Sequence, residues 1–157
     1  MTDPIRLLLA DDQQMVRAGF RLVLDAQPDM SVVGEANDGA EALQLVDELA
    51  PDVVLMDIRM PVLDGLGATE KIMTSHPEAK ILVLTTFDLD EYVHSALRAG
   101  ASGFMLKDAG PTELLAAIRA VRDGDSVVAP SATRRLIERF IPCLLYTSPS
   151  PRDGLLS

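Results

Sequence analysis

The 157-residue sequence has a single cysteine, no tryptophan and no apolar run long enough to cross a bilayer. One cysteine forms no internal disulfide and excludes a multi-cysteine zinc site. No basic-then-apolar leader opens the chain, so we expect a soluble, cytoplasmic protein without membrane contact. Bases are also few: 14 Lys and Arg against 24 Asp and Glu give a net charge of −10, which argues against a chain-wide electrostatic grip on nucleic acid.

What is present is a regular alternation of short apolar runs and longer amphipathic segments, in a chain whose length predicts one domain with a short appendage. The runs predict five strands: Ile5–Ala10, Met30–Ala36, Asp52–Met56, Lys80–Thr85 and Ser102–Leu106. The segments between and after them predict five helices, at 14–26, 39–49, 65–76, 89–99 and 111–123.

Three of the five predicted strands are almost continuous Leu, Ile, Val and Met, which is typical of parallel strands covered on both faces. Five strand–helix units in about 124 residues predict an α/β fold with a doubly wound parallel sheet and right-handed crossovers. Such a sheet binds ligands beyond the carboxyl ends of its strands.

Polar side chains stand where four of the predicted strands end. Asp11 and Asp12 follow the first strand, Asp57 the third and Lys107 the fifth, while Thr85 ends the fourth. The topology brings all of them to one rim of the sheet, although a strand-end polar residue on its own is most simply a solvated loop residue.

These residue types suit phosphoryl transfer. Mg²⁺ prefers one or two carboxylates together with water and a phosphate. An aspartate beside such a cation can attack phosphorus and form an aspartyl phosphate. The charge on the transferred oxygens then needs a cation and a hydroxyl donor already in place, and Lys107 and Thr85 meet that need.

The segments LLLADDQQMVRAGF, PDVVLMDIRMPVLDGL, ILVLTTFD and ALRAGASGFMLKD occur in this order and with family-like spacing. Together they resemble the receiver domain of two-component response regulators over residues 5–124. The resemblance implies a flavodoxin-like (βα)5 fold with the strand order 2-1-3-4-5.

The resemblance also implies roles for residues around the third strand. Asp57 matches the phospho-accepting aspartate, Asp12 a direct Mg²⁺ ligand and Asp11 the acid that holds metal-bound water. The backbone carbonyl of Arg59 matches the protein's remaining contribution to the Mg²⁺ shell.

Three further positions match the family's switch. Thr85 matches the hydroxyl that follows the phosphoryl group, and Lys107 the lysine that pairs with it. Phe104 stands where the family has an aromatic residue that reports activation, although an aromatic on a short strand is also ordinary core. Gly65 is expected to give backbone freedom to the loop after Asp57.

GEANDGAEAL, KDAGPTELLAAIRAV and GDSVVAPSATRRLIERF resemble the NarL/FixJ subfamily, in which a linker and a LuxR-type helix-turn-helix domain follow the receiver. We therefore expect a receiver at 1–124 and the start of a linker helix at 125–142. CLLYTSPSPRD, within 143–157, resembles a translated transposase-adapter sequence, so we expect a disordered artefactual tail and a parent protein truncated before its DNA-binding domain.

The predicted function is a phosphorylation-dependent signalling switch that regulates transcription in the parent protein. A sensor histidine kinase is the expected partner, with a homodimer on phosphorylation and no nucleic-acid binding by this fragment. Its own phosphorylation and dephosphorylation are its only expected chemistry, so it is not an enzyme in the turnover sense.

One alternative stays open, and the residues argue against two others. A stand-alone receiver would act through protein contacts alone. A haloacid-dehalogenase-like phosphatase also uses a strand-end aspartate, Mg²⁺ and lysine, but it needs a second carboxylate two residues after the nucleophile, where this chain has Arg59. A Rossmann module needs a glycine-rich turn after the first strand, where this chain has ADDQQ.

Overall fold

Strands and helices alternate along the computed structural model, which describes residues 3–85, 90–107, 109–124 and 127–128. The strands are β1 (Ile5–Ala10), β2 (Met30–Ala36), β3 (Val53–Asp57), β4 (Lys80–Thr85), β5 (Gly103–Leu106) and β6 (Val127–Val128). The helices are α1 (Gln14–Asp25), α2 (Gly39–Leu49), α3 (Gly65–Ser75), α4 (Asp90–Arg98) and α5 (Pro111–Arg122). Of the segment 125–142, predicted to begin a linker helix, the structure describes only Val127–Val128, which form β6. The rest of that segment and the predicted tail at 143–157 lie outside the described residues.

The strands form one parallel sheet in the order β2-β1-β3-β4-β5-β6. The flavodoxin-like order 2-1-3-4-5 is confirmed, and the two-residue β6 extends the sheet beyond β5. β1, β3, β4 and β5 are neighbours, so the strand ends that carry the predicted site residues lie side by side.

Two apolar clusters cover the two faces of the sheet because successive residues of a strand point to opposite sides. Leu8, Val54, Val83 and Phe104 pack on one face together with side chains of α2, α3 and α4. The other face packs against α1 and α5 through the strand residues Leu7, Leu9, Val53, Leu55, Leu82, Leu84 and Met105. Both faces are therefore buried, as the apolar runs predicted.

Side chains at the helix N-termini hold two of the turns that lead away from the site rim. Asp38 accepts a hydrogen bond from the amide of Glu41 at 2.8 Å, and Glu41 accepts one from the amide of Asn37 at 2.6 Å. Together these two hydrogen bonds fix the start of α2. Asp64 caps α3 in a similar way by accepting from the amide of Gly67 at 2.8 Å.

The pairing of β1 with β2 contains an irregularity that affects one charged residue. Leu7 pairs with Val32 but Leu8 pairs with Gly34, so β2 has one extra residue at this point. A one-residue shift moves every later side chain to the other face of the sheet. As a result Glu35 pairs with Leu9 and points to the face that α1 covers.

Candidate functional site

Three carboxylates meet at the carboxyl end of the sheet. Asp11 and Asp12 follow β1, and Asp57 is the last residue of β3. One carboxylate oxygen of each lies within 4.8 Å of the others. Asp11 and Asp57 are buried and Asp12 is exposed, so the cluster opens to solvent on the Asp12 side.

The ammonium group of Lys107 lies against the two buried carboxylates. Its Nζ is 2.6 Å from Oδ2 of Asp11 and 3.2 Å from Oδ2 of Asp57. Oδ1 of Asp11 accepts a hydrogen bond from the amide of Gln13 at 2.8 Å, whereas Oδ2 has the charge contact with Lys107 but no aligned donor among the described residues. Lys107 was predicted to pair with a phosphoryl group, and in the structure it pairs with Asp11 and Asp57.

The pKa values at this site reflect burial and charge together. Burial raises the pKa of Asp57 above its ordinary value of 3.8, and the charge of Asp11 raises it further, against the lowering effect of Lys107 and of a hydrogen bond from the backbone of Arg59. Burial alone would lower the pKa of Lys107, but the close contact with Asp11 and the charge of Asp57 raise it. Lys107 therefore stays protonated at neutral pH.

The pKa of Asp57 has a consequence for stability. Because this pKa is higher in the folded chain than in the unfolded chain, the folded state holds the proton more tightly. The contribution of this carboxyl to stability is fully present at a pH below its pKa in the unfolded chain. It is lost as the pH rises through its pKa in the folded chain. Asp57→Asn mimics the neutral acid, so at pH 7 in EDTA we expect a higher urea midpoint than for the unaltered chain.

Urea unfolding of both proteins at pH 7 and at pH 4 measures this effect. The difference between the two midpoints is expected to shrink at the lower pH, where Asp57 itself takes up a proton. A midpoint at pH 7 that falls on substitution would contradict the predicted sign.

Thr85 and Arg59 lie next to this cluster. Thr85 is the last residue of β4, its side chain is buried, and its carbonyl accepts a hydrogen bond from the amide of Lys107 at 2.7 Å. Arg59 has an exposed side chain, and together with Asp12 it lines one open depression beside the cluster. The structure thus places both residues at the predicted rim.

Phe104 lies deeper than the other predicted site residues. It is fully buried, and in the sheet register it pairs with Val83, two residues before Thr85. Phe104 and Thr85 therefore share one face of the sheet, and Asp57, which pairs with Leu84, lies on the opposite face. Phe104 is part of the core here, and any switching role stays a prediction.

The prediction that Gly65 gives backbone freedom to the loop between β3 and α3 is wrong. Gly65 has no positive φ; the non-glycine residue with positive φ in this loop is Val62, at 68°. A Cβ on Gly65 would lie 2.0 Å from the carbonyl oxygen of Asp57, and the Gly65 amide donates to the carbonyl of Ile58 at 2.8 Å. Glycine is required here by close approach of two backbone segments, not by backbone freedom.

Two charged residues for which the sequence predicts no role, Arg17 and Glu35, lie behind the cluster. Arg17 donates from its guanidinium to the main-chain carbonyl of Asp11, and its Nε donates to Glu35 at 3.0 Å. Arg17 is buried on the same helix face as Phe20 and Leu24, at helical spacing. That spacing is visible in the sequence, where it places a charge on the apolar face of α1.

Comparison with known protein families gives one decisive match. Residues 7–119 match the family described as the response regulator receiver domain. The chain belongs to this family. The receiver domain accounts for the sheet, the five helices and the rim cluster, and it gives the chain a phosphorylation-dependent signalling role in a two-component system.

Relatives of this receiver include transcription regulators. It is 48% identical over 135 residues to the uncharacterized transcriptional regulatory protein YxjL of Bacillus subtilis, covering 86% of this chain and 62% of YxjL. The chain thus spans less than two thirds of that relative's length.

Solved structures of similar receivers include members described as LuxR family and as NarL. A LuxR-family two-component response regulator from Aurantimonas sp. SI85-9A1 is 34% identical with a TM-score of 0.84, covering 88% of this chain and 99% of that one. The receiver domain of the putative response regulator NarL from Mycobacterium tuberculosis is 35% identical with a TM-score of 0.76, covering 78% of this chain and 99% of that one.

None of the helices in the described part of the chain has the length and hydrophobicity needed to cross a bilayer.

Proposed function

We propose that Asp57 of this receiver accepts a phosphoryl group from the phosphohistidine of a sensor histidine kinase. The observation that carries the proposal is the contact of Lys107 with Asp57 and Asp11 at the carboxyl end of the sheet. A fixed cation beside a buried carboxylate stabilises charge that gathers on a transferred phosphoryl group.

In the proposed step, one carboxylate oxygen of Asp57 bonds to phosphorus while the bond between phosphorus and the histidine nitrogen breaks. The histidine ring keeps the bonding electron pair and takes up a proton from water. Asp57 becomes an acyl phosphate, and its burial favours the reaction because a desolvated carboxylate is the stronger base and nucleophile. Lys107 then pairs with the new phosphoryl oxygens.

The residues at the rim fit a divalent cation. Three carboxylates converge within 4.8 Å, and Oδ2 of Asp11 has no aligned donor among the described residues. Asp11, Asp12, Asp57 and the backbone carbonyl of Arg59 would hold Mg²⁺, which when bound supplies positive charge to the phosphoryl oxygens.

The switch is proposed to run from Thr85 to Phe104. Phosphorylation adds roughly −1.5 to −2 charges at the rim, and the hydroxyl of Thr85 turns toward the new oxygens as a donor. Thr85 and Phe104 lie on one face of neighbouring strands, so the movement of Thr85 changes the space available to the ring. The result is a shift between two conformational populations.

The output of the switch is proposed to be transcriptional. The printed name of YxjL describes a transcriptional regulatory protein, and this chain spans 62% of its length. We propose that the receiver at 1–124 and a linker at 125–142 control a DNA-binding domain in the parent protein. Pairing of two phosphorylated copies stays a separate prediction, and action through protein contacts alone stays the alternative.

Incubation with acetyl phosphate tests the proposal directly. With Mg²⁺ the chain is expected to gain one phosphoryl group, measured by intact mass, and with EDTA none. No gain of mass with Mg²⁺ would contradict the proposal. Release of inorganic phosphate from a phosphate monoester over many turnovers would instead favour the haloacid-dehalogenase-like alternative.

A further inference from the structure

A chain of charged side chains runs along the α1 face of the sheet behind the acidic cluster. Glu35 lies between two guanidinium groups: its Oε1 accepts from Nε of Arg17 at 3.0 Å and its Oε2 accepts from Nη1 of Arg21 at 2.6 Å. Arg17 continues the chain to the main-chain carbonyl of Asp11. The chain therefore ends on the backbone of a residue in the cluster.

The other end of this chain returns to β2. Arg21 donates to Oδ2 of Asp25 at 3.2 Å, and Oδ1 of Asp25 accepts from the amide of Val32 at 3.1 Å. Val32 is the residue directly before the register shift and Glu35 follows it. Contacts to α1 thus fix β2 on both sides of its extra residue.

The register shift is what makes the contact possible. Without the extra residue Glu35 would pair with Ala10 and point to the opposite face, the face of α2 and α3. With the shift it points to α1, where Arg17 is almost fully buried with a side-chain exposure of 8%. A buried guanidinium needs a charged partner to keep its position, and Glu35 is that partner.

We propose that Glu35 is a positioning residue for the phosphorylation site: through Arg17 it holds the carbonyl of Asp11, and so fixes the turn that presents the carboxylates of Asp11 and Asp12. Of the five predicted strands, β2 alone carries no predicted site residue. Glu35 is the residue through which β2 supports the site. This inference rests on the proposed function where it concerns Mg²⁺ and phosphate, but the ordering of the turn is independent of it.

Amide hydrogen exchange at Gln13 measures the order of the turn, because this amide donates to Oδ1 of Asp11. Glu35→Gln is expected to speed exchange at Gln13 by about tenfold, since the turn then opens more easily. Mg²⁺ titration of the same proteins is expected to show an affinity weakened by roughly tenfold. This is the lower end of the usual effect when a residue that orients a metal ligand is substituted. Arg17→Met is expected to produce both changes.

Two further variants separate positioning from general stability. Arg21→Gln removes the other partner of Glu35 and leaves the contact with Arg17, so both readouts are expected to stay near those of the unaltered chain. In the double variant Arg17→Met/Glu35→Gln the effects are expected not to add, because both act through one contact.

The outcomes distinguish this inference from the proposed function. Unchanged exchange at Gln13 and unchanged Mg²⁺ affinity in Glu35→Gln, even with a lower urea midpoint, would overturn the inference and reduce the pair to a structural role. Faster exchange at Gln13 with weaker Mg²⁺ binding would support it. If the unaltered chain takes up no phosphate but Glu35→Gln still speeds amide exchange at Gln13, the proposed function is overturned and the inference about Glu35 is not.

Discussion

Asp57→Asn is expected to lower the uptake of phosphate from acetyl phosphate by at least about 100-fold, because the substitution removes the proposed nucleophile. The amide cannot form an acyl phosphate, yet it has the size of the carboxylate and lies in the same place beside Lys107. The measurement is the mass of the intact chain after incubation with Mg²⁺ and the donor. The urea midpoint, expected to rise at pH 7, shows on the same sample that the fold is retained.

Asp47→Asn is the matched control for this experiment. Asp47 is an exposed carboxylate of α2 that pairs with His76, and His76 follows α3 at the opposite end of the sheet from the cluster. Its substitution makes the same chemical change without touching the rim, so phosphate uptake is expected to be unchanged. Stoichiometric phosphorylation of Asp57→Asn would remove Asp57 as the acceptor.

Gly65→Ala is expected to destabilise the chain by about 3 kcal/mol or more and to abolish phosphate uptake. A Cβ at this position would lie 2.0 Å from the carbonyl oxygen of Asp57 and 2.9 Å from Cα of Ile58. Both atoms belong to the backbone, so neither can move aside as a side chain would. The start of α3 or the end of β3 must shift, and a shift at the end of β3 displaces the acceptor itself.

Gly19→Ala provides the control, because this position in α1 is exposed and an added Cβ would have nothing within 4 Å. It is expected to stabilise the chain by about 1 kcal/mol, the usual difference between alanine and glycine inside a helix. Urea unfolding of both variants measures the contrast. Equal midpoints for Gly65→Ala and the unaltered chain would show that the close approach at Asp57 does not restrict this residue.

Periodicity predicted the order and type of the five strands and five helices because the central strands are buried apolar runs and the helices have apolar faces. The bounds of β1, β2 and β4 match the structure at both ends. β3 lies one residue later than predicted: Asp52 stands outside it and accepts from the amide of Arg6, while Asp57 pairs with Leu84 inside the sheet. The ends of β3 are set by hydrogen bonds to the neighbouring strands, and these bonds cannot be predicted from the hydropathy of the sequence.

β6 was not predicted as a strand, since two valines are too short a run to distinguish from a loop. Their placement comes from pairing with Gly103 and Phe104 of β5. Such short edge pairings depend on where the preceding helix ends, which here is α5 at Arg122.

The rim was predictable because parallel strands end together, so Asp11, Asp57 and Lys107 had to meet if the topology was right. The contact of Lys107 with Asp11 needs coordinates, since sequence does not show which of two carboxylates an ammonium approaches. The role of Glu35 could not be predicted from the sequence for a stronger reason. Regular strand pairing would place Glu35 on the face that α2 and α3 cover, and only the extra residue in β2 places it on the face that α1 covers.

The most direct measurement of the central claim is localisation of the phosphoryl group by fragmentation mass spectrometry after incubation with acetyl phosphate and Mg²⁺. We expect a single modified residue, Asp57, carrying an acyl phosphate that hydroxylamine removes, and no modification when EDTA replaces Mg²⁺. A phosphoryl group on another residue, or none at all in a folded sample, would contradict the account.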